Sequence, residues 1–166
     1  MKSSNRFALL ATVVVTLSSL STVAMAASVS GVANATVLTP IAITAPKALT
    51  FGTFAPGTAA GTVVVTSAGA RTATNALLST SIAGDFGRFT VTGANLTFAI
   101  TAPTTVTLAL TGAPSMIATL SGIGSTGTIA GGSVNIDFGG SLAVAAAATQ
   151  TAGAYTGSFT MQVEYN

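Results

Sequence analysis

Residues 155–165 read YTGSFTMQVEY and alternate without a break. Tyr155, Gly157, Phe159, Met161, Val163 and Tyr165 fall on one side, and Thr156, Ser158, Thr160, Gln162 and Glu164 on the other. Successive strand side chains point to opposite faces, so the pattern predicts a β-strand with one face in a core and one face wet. Only Asn166 follows, and the expectation is that no further strand comes after it.

The same period-two signal recurs upstream, broken by Gly or Pro about every ten residues. It predicts strands at 29–37, 41–44, 49–54, 62–66, 72–78, 88–92, 96–101, 106–110, 116–120, 134–138 and 141–144. The breaks include Ala55-Pro56-Gly57, Gly84-Asp85, Gly93-Ala94-Asn95 and Ala130-Gly131-Gly132. Thr and Val suit a pleated, half-buried surface, whereas Gly and Pro break helices. Residues 142–149 (LAVAAAAT) tolerate a helix but are short and flanked by strand signals. Many short strands at this spacing predict an all-β chain, as an antiparallel sandwich or a small barrel.

The amino-terminal residues belong to targeting rather than to the fold. Lys2 and Arg6 precede an apolar run at 7–20, too short to span a hydrocarbon core of about 30 Å. Ala24-Met25-Ala26 supplies a small-x-small cleavage pattern, with Ala27 as the mature start. A membrane anchor is the other reading, but no polar stop-transfer flank follows. Gly, Pro and polar residues interrupt every later apolar stretch, so no transmembrane helix is expected. The chain reads as exported, with a signal peptide at 1–26, an N-terminal extension at 27–39 and one sandwich domain at 40–166.

The formal charge of +2 includes Lys2 and Arg6. Without them Lys47, Arg71 and Arg88 balance Asp85, Asp137 and Glu164, so no basic stripe exists to bind nucleic acid. A charge-poor surface favours association over repulsion. The 29–37 segment places Val29, Gly31, Ala33, Ala35 and Val37 on one small apolar face, opposite Ser30, Val32, Asn34 and Thr36. At a mature N-terminus it has few local partners. It either closes its own sandwich or seeks another.

The series Leu49-Thr50-Phe51-Gly52-Thr53-Phe54, then Gly61-Thr62-Val63-Val64-Val65, then Ala152-Gly153-Ala154-Tyr155-Thr156-Gly157 and Val163-Glu164-Tyr165, resembles the bacterial secreted family called domain of unknown function 4402. It is also similar to spore coat U-type pilins of archaic chaperone–usher pili. Those usually carry a cysteine pair, and this chain has no cysteine. The resemblance implies an immunoglobulin-like sandwich lacking its final strand, completed head to tail by the extension of the next subunit. The donor residues would be Val29, Gly31, Ala33, Ala35 and Val37, and Phe159, Met161, Val163 and Tyr165 would line the acceptor groove. A periplasmic chaperone and an usher would be the transit partners, because an open groove aggregates. A heterologous contact of this kind extends into a filament. For such a fimbrium the resemblance implies a role in cell adhesion.

Chemistry-bearing motifs are sparse. The absence of Cys, His and Trp excludes a disulfide scaffold, thiol catalysis, a Cys/His zinc site and histidine acid–base chemistry. Gly122-Ile123-Gly124-Ser125-Thr126-Gly127 fits G-x-G-x-x-G, but no buried parallel strand precedes it and no acidic residue follows at the right distance. It reads as a hairpin turn. The carboxylates fall in separate strand regions and read as turn or solvated groups rather than a sugar-cleaving pair. No serine has an evident activating base. The reading is therefore of no enzyme, cofactor or metal. The alternative function is a self-complemented monomeric sandwich acting as a surface or carbohydrate-binding module. A transmembrane barrel lacks its aromatic girdles, and a flat Thr-rich binding surface lacks a fixed Thr repeat.

Overall fold

The computed structural model describes residues 25–166, and every regular element among them is a β-strand. In chain order these are β1 (Ala42–Lys47), β2 (Phe54–Pro56), β3 (Gly61–Val65), β4 (Arg71–Thr74), β5 (Ala76–Leu78) and β6 (Gly87–Thr92). There follow β7 (Thr97–Thr101), β8 (Thr105–Leu108), β9 (Met116–Ser121), β10 (Thr126–Thr128), β11 (Ser133–Val144) and β12 (Gln162–Tyr165). The main sheet runs β1-β6-β11-β3-β4, with β9 also on β11 and β8 outside β9. A second sheet has the order β10-β7-β12, and β2 pairs β5. All ladders are antiparallel. The chain is an all-β antiparallel sandwich.

β11 organises it. The sequence reading ends one strand at Phe138 and starts another at Ser141, taking Gly139-Gly140 as a break. The strand instead runs through. Its first half pairs β6, and from Gly139 onward it pairs β9 on one edge and β3 on the other. A side chain at Gly139 would collide with the Val65 carbonyl, so glycine there lets β3 close on the strand. Inward residues keep their period across the change of partners: Phe138, Gly140, Leu142 and Val144 are all buried.

Other expectations shift for local reasons. The strand expected at 72–78 divides into β4 and β5 because Asn75 adopts φ 49, a left-handed turn that Asn tolerates. The Gly-rich motif at 122–127 lies between β9 and β10 and opens no helix, and its Thr126 and Gly127 begin a strand that was not anticipated. Residues 142–149 finish β11 and turn. In 155–165 only the last four residues before Asn166 join a ladder, and upstream a single bridge links Thr156 to Ala109. The alternation itself survives there. Met161 is buried, Tyr155, Phe159, Val163 and Tyr165 are half-buried, and the intervening polar residues are exposed.

Residues 25–40 form no strand, contrary to the expectation at 29–37, and are exposed throughout, Val29 at 96% and Val37 at 94%. Residues 1–24 of the expected leader, including Ala24 of the cleavage pattern, lie outside the described residues. Ala26 and Ala27 are exposed and in no regular element. Among the described residues no helix is long and apolar enough to cross a membrane.

The core has two clusters. Val91, Phe98, Ile100, Ile129 and Met161 centre one, between β1-β6-β11 and β10-β7-β12. Phe51, Val63, Val65, Met116, Ala118, Leu142 and Val144 centre the other. Three rings stand together in addition: Phe89 stacks on Phe138 at 5.1 Å between centroids, and Phe159 meets both edge-on at 5.8 and 5.6 Å. Gly87 lies directly under Phe138, where any side chain would strike the ring.

Four of the six charged side chains among the described residues form two ion pairs. Asp137 on β11 accepts from Arg88 opposite it on β6, with Nη2 2.7 Å from Oδ2. Lys47 Nζ sits 2.8 Å from Asp85 and 3.5 Å above the centre of the Phe86 ring. The hydrogen bond from Lys47 holds Asp85 below the usual carboxylate range, and the one from Arg88 does the same for Asp137. A depressed folded pKa contributes stability that is present above the unfolded value and lost as pH falls through the folded one. Thermal midpoints should therefore be flat from neutrality down to about pH 5 and drop modestly below about pH 4. Melts across that range check this, and Asp137→Asn should flatten part of the drop. A midpoint that rises on acidification would contradict it.

Candidate functional site

β1 pairs β6 along one edge, and β12 pairs β7 along one edge; neither pairs along its other. The two strands approach each other, with Cα atoms of β1 and β12 within 8 Å, but they form no ladder.

Two hollows follow one another here. The narrower, about 490 Å³, is lined by Ile41, Ala42 and Ile43 on one wall and by Met161, Gln162, Val163 and Glu164 on the other, with Thr101. The wider, about 1090 Å³, takes up both walls where the first leaves them: Ala45, Lys47, Leu49 and Phe51 on one, Tyr155, Gly157 and Phe159 on the other. Its floor includes Phe89, Phe138, Met116 and Leu142. Together they make one long apolar groove between residues 41–54 and 155–164. The walls run in opposite directions, since Ile41 to Ile43 face Met161 to Glu164 while residues 45–54 face 152–159.

Backbone groups of Ser158, Phe159 and Thr160 join no ladder. Unpaired strand edges beside apolar walls are a template for another strand.

Of the residues expected from sequence to line an acceptor groove, Phe159 lines the wide hollow, and Met161 and Val163 the narrow one. Tyr165 lines neither. Its ring packs against the cluster around Val91 and Phe98, and its hydroxyl donates to the Thr39 carbonyl at 2.9 Å and accepts from the Ala94 amide at 2.6 Å. It ties the segment before β1 to the end of β12. Tyr165→Phe should cost about 1–3 kcal/mol by leaving the Ala94 amide unsatisfied, measurable by urea denaturation; an unchanged midpoint would show that the tie carries no stability. Val29, Gly31, Ala33, Ala35 and Val37 are exposed and in no ladder.

Sequence reasoning missed the opposite wall. Ile41, Ile43, Ala45, Lys47, Leu49 and Phe51 are a period-two series like 155–165, and this was the available signal. Pro46 and a register shift between Thr44 and Lys47 obscured it. Among the described residues no group of three or more Asp, Glu, His or Cys comes together to hold a metal. Asp85 and Asp137 are engaged by Lys47 and Arg88, and Arg71 donates to the carbonyls of Thr53 and Ser79. Polar residues also line the groove along its length, Thr101, Gln162 and Glu164 in the narrow part and Lys47, Thr50 and Ser158 in the wide part.

A family model described as Domain of unknown function (DUF4402) matches residues 41–165. That span runs from the first residue of one groove wall almost to the end of the other. No curated protein and no solved structure matches the chain.

Proposed function

The chain belongs to the DUF4402 family, and we propose that it is an exported structural subunit of a cell-surface filament or coat, completed by a β-strand from another subunit. The observation that carries this reading is the apolar groove between two free strand edges. A chain left with such a groove in water exposes both backbone donors and aromatic surface. An extended segment added between β1 and 155–165 would pair both edges and cover Phe159, Met161 and Val163. Residues 29–37 have the required shape, being short, apolar on one face and unengaged. Their small side chains suit a slot whose floor already carries three phenyl rings. In transit the groove would need a chaperone's strand, and at the surface the assembled subunits would mediate adhesion.

Sizing the purified mature protein tests this. The expected result is a ladder of heat-labile, SDS-resistant oligomers that disappears when residues 27–37 are deleted. A cooperative monomer at all concentrations would overturn it and favour the self-complemented surface domain.

A further inference from the structure

We infer that the outward face of the half-sheet β8-β9-β11-β3-β4 is a lateral contact between copies of this chain, packed sheet on sheet about a two-fold axis. This face lies on the other side of the strands from Met116 and Leu142, which floor the groove, and it does not depend on how the groove is filled.

The strand registers set its side chains in ranks. Thr105, Thr119, Ser141, Val64 and Thr72 stand opposite one another across all five strands. Two residues along, Thr107 stands opposite Ile117, and Ala143, Thr62 and Thr74 stand in line. All ten are exposed or half-buried, Ile117 at 53%, while the residues between them, such as Val63, Ala118 and Leu142, are buried on the inner face. Five strands distant in sequence thus assemble seven hydroxyls and three aliphatic side chains into one array.

None of the ten is charged or aromatic. Lys47, Arg88 and Asp137 stand in one row across β1, β6 and the first half of β11, and Glu164 is on β12. Arg71 shares the inward parity of Ala73 and donates to backbone carbonyls. The hydroxyls of Thr44 and Thr90, outside the array, bond to neighbouring strands.

These properties suit a second copy of the same face. In a two-fold contact each residue near the axis meets its own mate, so a charge there repels itself; a neutral face carries no such penalty. Twisted sheets stack on one another at about 30° and about 10 Å apart, so a twisted face is matched by its own copy. β11 is the middle strand of the five. An axis along it brings Ser141 to Ser141, Thr105 to Thr72 and Ile117 to Thr62.

Five strands about 4.8 Å apart and five residues long outline roughly 24 by 17 Å, or about 400 Å². That is short of the roughly 800 Å² each partner gives to a standard complex, so a single pair is weak. Subunits joined in a polymer would repeat the contact, and repeated contacts act together.

Ser141→Lys and Ser141→Asp test this, alone and mixed, by sedimentation of the purified mature protein without detergent at rising concentration. The parent should associate. Each variant alone should need at least about tenfold more protein for the same associated fraction, because like charges meet at the axis. An equimolar mixture should return to the parent's behaviour, and Thr128→Lys, on β10 of the second sheet, should match the parent. If the Ser141 variants melt well below the parent, Thr119→Lys and Thr119→Asp, at an exposed residue one strand away, replace them. A parent that stays monomeric, single variants that associate like the parent, or a mixture as dispersed as its components would overturn the inference. If the variants instead lose binding to an insoluble uncharged polysaccharide while sedimenting like the parent, the face belongs to a glycan. The SDS-resistant ladder, which a contact between sheet faces does not survive, reads the proposed strand donation separately.

Discussion

If the chain assembles as proposed, Ala33→Asp should leave the isolated sandwich as stable as before and sharply reduce its oligomers. Ala33 is exposed and in no ladder within its own chain, so a carboxylate there costs the fold nothing that depends on burial. In the proposed assembled state the same carboxylate would be turned into the apolar groove. Moving an unpaired ion into apolar surroundings costs several kcal/mol, and each 1.4 kcal/mol is tenfold in affinity. The SDS-resistant fraction should fall at least about a hundredfold. Ser30→Asp, equally charged but on the polar face, should keep most of the ladder. Equal loss in both variants would point to a general charge effect and against an inward Ala33.

The second large effect concerns Phe138→Ala. Phe138 is 2% exposed at the midpoint of β11, where the strand exchanges β6 for β9 and β3. It stacks on Phe89, meets Phe159 edge-on and covers Gly87. Truncating a buried Phe costs about 3–5 kcal/mol, against a total of about 5–15 for a domain. The urea midpoint should drop by about a fifth or more, with residual protein prone to aggregate. Leu77→Ala, at a residue 74% exposed on β5, should change stability by no more than about 0.5 kcal/mol. A Phe138 variant that melts like the parent would mean that the two core clusters do not depend on the ring between them.

Much of the fold was legible because side-chain alternation is a local property. The inward set Tyr155, Phe159, Met161, Val163 and Tyr165 was read correctly even where no ladder forms, since burial follows the pleat rather than the pairing. Gly139-Gly140 was misread because glycine marks both the end of a strand and a place where backbones approach closely. Nothing local distinguishes the two. Asn75 divided an expected strand for the same reason, as its left-handed turn depends on β4 and β5 leaving for different sheets. Tyr165 was assigned to the groove by parity, whereas its hydroxyl reaches Thr39 and Ala94, partners distant in sequence.

By itself the sequence determined that this chain is all-β and which face of the terminal strand is apolar. Those properties are set by neighbouring residues and the period of the pleat. Only the tertiary structure decided that β1 and β12 each keep an unpaired edge and approach each other, and that Tyr165 ties Thr39 to the end of β12. Strand order is a matter of contacts between segments more than a hundred residues apart in sequence, here 41–54 and 155–165, and no local pattern encodes which edges remain unpaired.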